Sequence, residues 1–591
     1  MIHYKKIFTL LYLCSFCLLV QAAYTSPNGK IQLETQADKL IVNHWTNDQW
    51  QTVMSISVAL QGEPVDGGEH QVDYQMLTGK RSHCNNAYRE IKLTTQGGEA
   101  FVVRLYNDGL AWTGGDGAHV DLSSAQHHWL QRWTDAYEEF FPRDRETEAN
   151  KRWAYPALFE YADDIFLLLT ESNLDADCAA SCLYSTSQEK VFRVAKDGKG
   201  KQGWQTAIIG HMDEVVESTL VTDNSAPCCL TDTSWIKPGV ASWVYWAYNH
   251  GSNDLEIIKR YVNLAVTLKL PYVLIDAEWD EMKNGKTIED ALKYATDNGV
   301  KPIIWYNSSV GWIHGAPGPK FRLNKPEDRE REFAWCKAHG VKGVKIDFFS
   351  GDTNLNIRYM TELLECAARY QLLVNFHGAT LPRGWQRTYP NLISVEGVYG
   401  AEWYNNLPVL TRKAAAHNAT LPFTRNVVGS MDYTPCAFSD SQHPHITSHA
   451  HELALTALYE SGIQHLADRP ESFLTQPQTV QDYLSHLPTA WDETKLLGGY
   501  PGEEAVMARR KGKTWYVTGI NGTDHCRDIE VDWTKLSIRH KATATIFEDS
   551  GHSSNPWKIS TAVRLPLGAS SRFACLPRGG FVVVVTEDAP N

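Results

Sequence analysis

Gly343-Val-Lys-Ile-Asp347 runs directly into Phe348-Phe-Ser-Gly-Asp352. A short apolar run that ends on an acid and opens into a loop reads as a buried strand whose last residue carries chemistry. On its upstream side, residues 326–339 have a helical pattern, with Gly340 where a C-cap belongs. On its downstream side, Ile357, Met360, Leu363, Leu364 and Ala367 follow the i, i+3, i+4 spacing of a core-facing stripe. A strand set between two such helices is a βα unit of a parallel sheet.

The same unit repeats outward. Strands are expected at Trp243-Val-Tyr-Trp-Ala-Tyr248, Tyr272-Val-Leu-Ile-Asp276, Lys301-Pro-Ile-Ile-Trp-Tyr306, Leu372-Leu-Val-Asn-Phe376, Leu392-Ile-Ser-Val-Glu396, a weak Leu421-Pro-Phe-Thr424, and Gly462-Ile-Gln-His-Leu466. With Gly343-Val-Lys-Ile-Asp347 that makes eight over about 250 residues, the pattern of a (β/α)8 TIM barrel. A doubly wound open sheet is the alternative, weakened because no GxGxxG or P-loop follows any strand. On either side the texture is β: runs such as Ala100-Phe-Val-Val-Arg-Leu-Tyr106 before the barrel, and Trp515-Tyr-Val-Thr-Gly-Ile520 after it. The expected architecture is multidomain α/β and β: an N-terminal β super-sandwich (23–237), a catalytic barrel (238–488) and a C-terminal β-sandwich (489–591).

Residues 1–22 read as a signal peptide. Lys5 and Lys6 precede an apolar stretch at 7–20, and Val20-Gln-Ala22 has the small-residue pattern of a cleavage site. The stretch is too short for a membrane span, so export to the periplasm or medium is expected, without membrane insertion. Beyond the leader, ten cysteines are spread too thinly for a disulfide scaffold. Cys178 with Cys182, and Cys228 with Cys229, are possible redox partners, whereas Cys336 and Cys366 read as buried thiols on helices.

The chain has 591 residues and a formal net charge of -13, which argues against a nucleic-acid partner. Its 20 Trp and 26 Tyr suit either sugar-stacking surfaces or sheet cores. The strand ends favour the first. Asp276, Glu278, Asp347, Glu396 and Glu402 lie at or just after strand ends, beside Trp305, Asn307, Asn375 and His377. In a barrel these positions surround the active site, and a ring of acids, amides and aromatics suits a neutral polyol. Glycoside hydrolysis needs two carboxyl groups flanking one bond. Asp347 and a Glu at or after the sixth strand can face each other across the barrel mouth. Strand alternation puts Lys345 on the same face as Asp347.

At these residues the sequence resembles glycoside hydrolase family 97, along nearly the whole chain beyond the leader. The likeness is carried by Trp243-Val-Tyr-Trp246, Gly343 to Asp352, Asn375-Phe-His-Gly-Ala-Thr-Leu-Pro-Arg-Gly-Trp385 and Glu396-Gly-Val-Tyr-Gly-Ala-Glu402-Trp403. Together with the leader's export signal, the resemblance implies a retaining exo-α-glycosidase, α-galactosidase-like, with Asp347 as nucleophile and Glu402 as acid/base. It implies a calcium ion (Ca2+) beside the sugar, with Glu396 as a ligand and Glu171 as the candidate from the sandwich. Two carboxylates cannot satisfy calcium's six to eight oxygens, so waters and an amide such as Asn375 complete the expected set. Asp276, Glu278, Trp305, Asn307 and His377 are expected to bind the sugar. The inverting branch carries a Glu directly after the His that is His377 here; this chain has Gly378. The rival readings are an inverting α-glucosidase, a retaining β-L-arabinopyranosidase, and a carbohydrate-binding protein without catalysis. The substrate is a glycoside or oligosaccharide; oligomeric state is not fixed by the sequence.

Overall fold

A computed structural model describes residues 22–588 except 37, 246–250, 539, 540 and 553. The proposed leader, and the end of the first expected barrel strand, lie outside the described residues. No helix among the described residues is long and apolar enough to cross a membrane.

The barrel strands are β1 (Gly239–Val244), β2 (Tyr272–Ile275), β3 (Lys301–Asn307), β4 (Gly343–Asp347), β5 (Leu373–Phe376), β6 (Leu392–Val395) and β7 (Ile463–Leu466). They pair in parallel in the order β6-β5-β4-β3-β2-β1-β7. Between them run α1 (Leu255–Thr267), α2 (Ile288–Asp297), α3 (Pro326–Ala338) and α4 (Asn354–Arg369). Local sequence explains their ends. Asp254 caps α1 by accepting from the Glu256 amide at 2.9 Å. Helix α4 buries Ile357, Met360, Leu363, Leu364 and Ala367, the stripe expected from spacing.

One barrel position departs from expectation. Leu421–Phe423 is a 3-10 turn that continues a helix, not a strand. Pro422 lacks the N–H that a central strand would need. Among the described residues, a single parallel bridge, Val395 to Met431, extends the sheet beyond β6 into the gap before β7. Arg425 does the work of the missing ladder. Its buried guanidinium donates to the carbonyls of Val395, Glu396, Gly397, Gly429 and Ser430 at about 3 Å each. Burial lowers its pKa to about 9, so it still carries its charge at neutral pH. Buried carbonyls must find donors, and here one side chain serves both the end of β6 that carries Glu396 and the segment that leads into Asp432.

Before the barrel, strands from Ala23 to Gly210 form the N-terminal sandwich; after it, strands from Glu493 to Glu587 form the C-terminal sheet domain. The latter has its own core, in which Phe573 stacks on Phe581 with centroids 4.2 Å apart. None of the ten described cysteines is in a disulfide; Cys336 and Cys366 are buried thiols on α3 and α4.

Candidate active site

Register places the polar strand ends at one level: Trp305 lies opposite Lys345, and Asn307 opposite Asp347. Lys345 and Asp347 do share a face. The Lys345 ammonium sits 3.1 Å from Asp276 and 4.0 Å from Asp347, with its side chain 3% exposed. Asp276 is itself fixed by the Trp243 indole N–H at 2.7 Å and the Ala277 amide at 2.8 Å. Burial works against its charge, but Lys345 and those donors outweigh it and hold its pKa below the usual range. Asp347 accepts from the Trp305 indole at 2.9 Å and from the Phe348 amide at 2.7 Å. The two oxygens are thereby oriented toward a cavity of about 740 Å³, walled by Trp243, Tyr245, Trp305 and Trp403 among others.

The end of β6 supplies the opposing acids. Glu396 accepts from the Gly378 amide at 2.7 Å and faces His377 Nδ1 at 3.3 Å. Glu402, on a 3-10 turn (Ala401–Asn405), lies 3.9 Å from the same nitrogen. The other ring nitrogen of His377 meets Asp432 at 2.6 Å. Asp432 also takes Asn375 at 2.6 Å and His465 at 2.7 Å. It follows Met431, the bridge in the strand gap, and the sequence reading missed it because no strand pattern surrounds it. His377 is therefore a buried charge partner more than a sugar contact. Burial opposes its protonation, yet Glu396 and Asp432 raise its pKa well above the ordinary value.

Both candidate catalytic groups are shifted upward, Glu402 further than Asp347. Burial and then the Glu396 carboxylate push Glu402 well above the usual carboxylate range. Asp347 is also raised by burial, but Lys345 and His377 restrain it. Glu396 ends below its ordinary value because His377 and the Gly378 amide overcome its burial.

The sandwich reaches this cavity through Glu138, which sequence reasoning missed. Its carboxylate accepts from the Trp403 indole at 3.1 Å, and its pKa is raised by burial and then by the Glu396 charge. The neighbouring Tyr137 hydroxyl donates to Asp352 at 2.7 Å and holds this loop on the barrel. A pair of acids between Tyr137 and Phe140 in a non-strand segment was the available signal.

Glu171, the residue expected to reach the metal from the sandwich, goes elsewhere. It is fully buried, with one oxygen 2.6 Å from Arg383 Nε and the other accepting from the Ser181 amide at 2.8 Å. Arg383 also binds Asp352 at 3.0 Å. This ion-pair network joins sandwich to barrel and includes Asp352, while Thr353 holds the N-cap position on α4. Asn307 departs from its expected role too: its amide donates to the carbonyls of Trp312 (3.3 Å) and Pro317 (3.4 Å), bracing a loop. Asp276, Glu278 and Trp305 line the cavity, Glu278 with a left-handed φ of 74° and an Asn253 hydrogen bond at 3.2 Å.

Among the described residues His377, Glu396 and Glu402 bring ligand atoms within 4.8 Å of one another. Glu138 and Glu402 line one cavity, so carboxylate oxygens dominate the donor set, and buried Asn375 Oδ1 and Asp432 Oδ1 have no hydrogen-bond partner. Hard oxygen donors with excess negative charge fit calcium; an imidazole nitrogen does not. His377 is thus better matched to balancing charge than to ligation.

Acids converging from several strand ends on an aromatic-walled polar cavity define a glycosidase. Sequence comparison agrees in detail: Glycoside hydrolase 97 matches residues 235–398, its N-terminal part matches 24–227, and its C-terminal part, described as an oligomerisation domain, matches 490–586. The chain belongs to glycoside hydrolase family 97. It is 34% identical to a probable retaining alpha-galactosidase of Streptomyces bingchenggensis, over 79% of this chain and 76% of that one. It is 26% identical to a retaining alpha-galactosidase of Bacteroides thetaiotaomicron, over 98% and 100%. Among solved structures, a beta-arabinopyranosidase superposes with a TM-score of 0.84 at 25% identity, covering 95% of this chain and 100% of that one.

Proposed function

We propose that this glycosidase is an exported, retaining α-galactosidase. One observation carries the retaining assignment. Gly378 has a left-handed φ of 51°, and a Cβ built there would lie 2.6 Å from the Phe348 amide nitrogen and 2.9 Å from Asp347 Oδ1. The Phe348 backbone and the Asp347 carboxylate together fill the space that a side chain at 378 would need, so the glutamate of the inverting arrangement has no room. The two relatives named as retaining alpha-galactosidases support the sugar. The beta-arabinopyranosidase likeness favours one second reading, since β-L-arabinopyranose matches galactose around the ring and lacks only the exocyclic carbon. Turnover of an aryl α-galactoside above the β-L-arabinopyranoside and the α-glucoside is the expected result; the reverse order would replace the sugar.

The mechanism is double displacement. Asp347 Oδ attacks the anomeric carbon while Glu402 donates its proton to the departing glycosidic oxygen. Glu402 then takes a proton from water, which attacks the same carbon and releases Asp347. Lys345, held by Asp276, keeps a positive charge beside Asp347 and within reach of sugar hydroxyls. Calcium would be held by Glu396 and Glu138, completed by water, which leaves Glu402 its proton; when bound it would supply a fixed positive charge that orders these carboxylates.

Two substitutions separate this ligand set from the sequence expectation. Glu138→Gln should weaken the restoration of activity by calcium after chelation at least about tenfold, with little loss of Tm. Glu171→Gln should instead lower Tm, because Arg383 loses a buried partner, at a cost of about 3 kcal/mol or more, and leave the calcium response intact. Full activity in a preparation shown metal-free by elemental analysis would remove the ion from the account.

A further inference from the structure

The cavity of about 740 Å³ lies toward the upper end of the range for ligand pockets, which run to roughly 1,000 Å³. Its polar floor of Asp276, Lys345 and Asp347 can engage one sugar ring. Its rim is of another character. Trp312 is 51% exposed and Leu407 49% exposed, and both line the same cavity.

Trp312 is fixed and not merely exposed. Its indole N–H donates to the His314 carbonyl at 2.7 Å. Its ring packs edge-on against Phe348, centroids 4.9 Å apart, and Phe348 directly follows Asp347. Its own carbonyl is held by Asn307. Side-chain entropy is thus already spent, and an aromatic face is presented to water. Leu407 lies just beyond the 3-10 turn that carries Glu402, with Asn406 between them on the same cavity wall. Glu402 is the group placed to protonate the bond oxygen, so whatever leaves with that oxygen departs past this segment.

We propose that Trp312 and Leu407 form the leaving-group subsite, a platform for an aglycone with a flat apolar face: an aryl group or the CH face of a second sugar ring. Asn307 is then a positioning residue that acts through the Trp312 loop. The inference rests on the reading of Asp347 and Glu402 given above. It predicts that selectivity for the aglycone is set at the rim, separately from recognition of the sugar on the floor.

The test compares substrates that share the sugar and differ in the leaving group. kcat/KM is measured for an aryl α-galactoside, an α-galactosyl disaccharide and α-galactosyl fluoride, whose leaving group is too small to reach the rim. In Trp312→Ala and in Leu407→Ala, the ratio of either ring-bearing substrate to the fluoride should fall about tenfold, ~1.4 kcal/mol. Trp312→Phe, which keeps an aromatic face, should recover most of the ratio. Both side chains are half exposed, so circular dichroism and Tm should match the parent. An unchanged ratio overturns the proposal, whether all rates fall together or none does. If the parent enzyme turns over a different glycosyl fluoride and not the galactosyl one, the sugar reading falls instead, and the ratio is taken with that sugar.

Discussion

Asp347→Gly should lower turnover of an aryl α-galactoside by about 10³-fold or more, and azide should restore part of it. The carboxylate is the only acid that β4 presents to the cavity, oriented by Trp305 and the Phe348 amide. Removing it leaves Glu402 able to protonate but nothing to attack, and opens a hole beside Gly378 large enough for a small anion. Azide nitrogen would then bond to the anomeric carbon as the aryl oxygen leaves, giving a β-galactosyl azide of inverted configuration. Near-normal activity, or rescue without an azide adduct, would remove Asp347 as the nucleophile. Circular dichroism guards against misfolding, since Asp347 also holds Trp305.

Glu402→Gln should split substrates by leaving group. Loss of general acid catalysis costs about 10²–10⁴-fold where the oxygen needs a proton. Aryl galactosides with good leaving groups should therefore keep a fast first step, while disaccharides slow by that factor. The second step also loses its base, so azide should accelerate it by replacing water. The pH profile carries an independent sign. Burial and the Glu396 charge raise the pKa of Glu402, so the acid form persists above the ordinary carboxylate range and is lost as pH rises through the raised value: this is the basic limb. Asp347 must be ionised, so activity falls on the acid side as it takes up its proton. Each limb reports an apparent value of the coupled pair. Glutamine cannot titrate, so the basic limb should vanish while the acid limb stays. Equal slowing of both substrate classes, with the basic limb intact, would transfer the role to Glu396.

The parts of this site that follow a period were legible in the sequence. Asp276, Trp305, Lys345 and Asp347 lie in or at the ends of regular apolar strands, and alternation alone put Lys345 and Asp347 on one face. Asp432 was not legible: its strand is reduced to one bridge at Met431, and Arg425, four residues upstream of Gly429, supplies the hydrogen bonds that a periodic strand would have made. The same loss of pattern explains the strand expected at Leu421. Glu138 was hidden differently, because it reaches Trp403 from a sandwich loop 265 positions away, a distance no local pattern spans. Glu171 was misread because a strand acid buried against Arg383 and a strand acid aimed at a metal look alike in sequence. Asn307 sits at a strand end like the others, but its amide finds carbonyls in its own loop.

The central claim is retention at an α-galactoside. Proton NMR of the first sugar released from an aryl α-galactoside, followed before mutarotation, tests it most directly. α-Galactose should be the first-formed anomer, with the β form appearing only as the solution equilibrates. β-Galactose appearing first would mean a single displacement by water and would contradict the assignment of Asp347 as nucleophile.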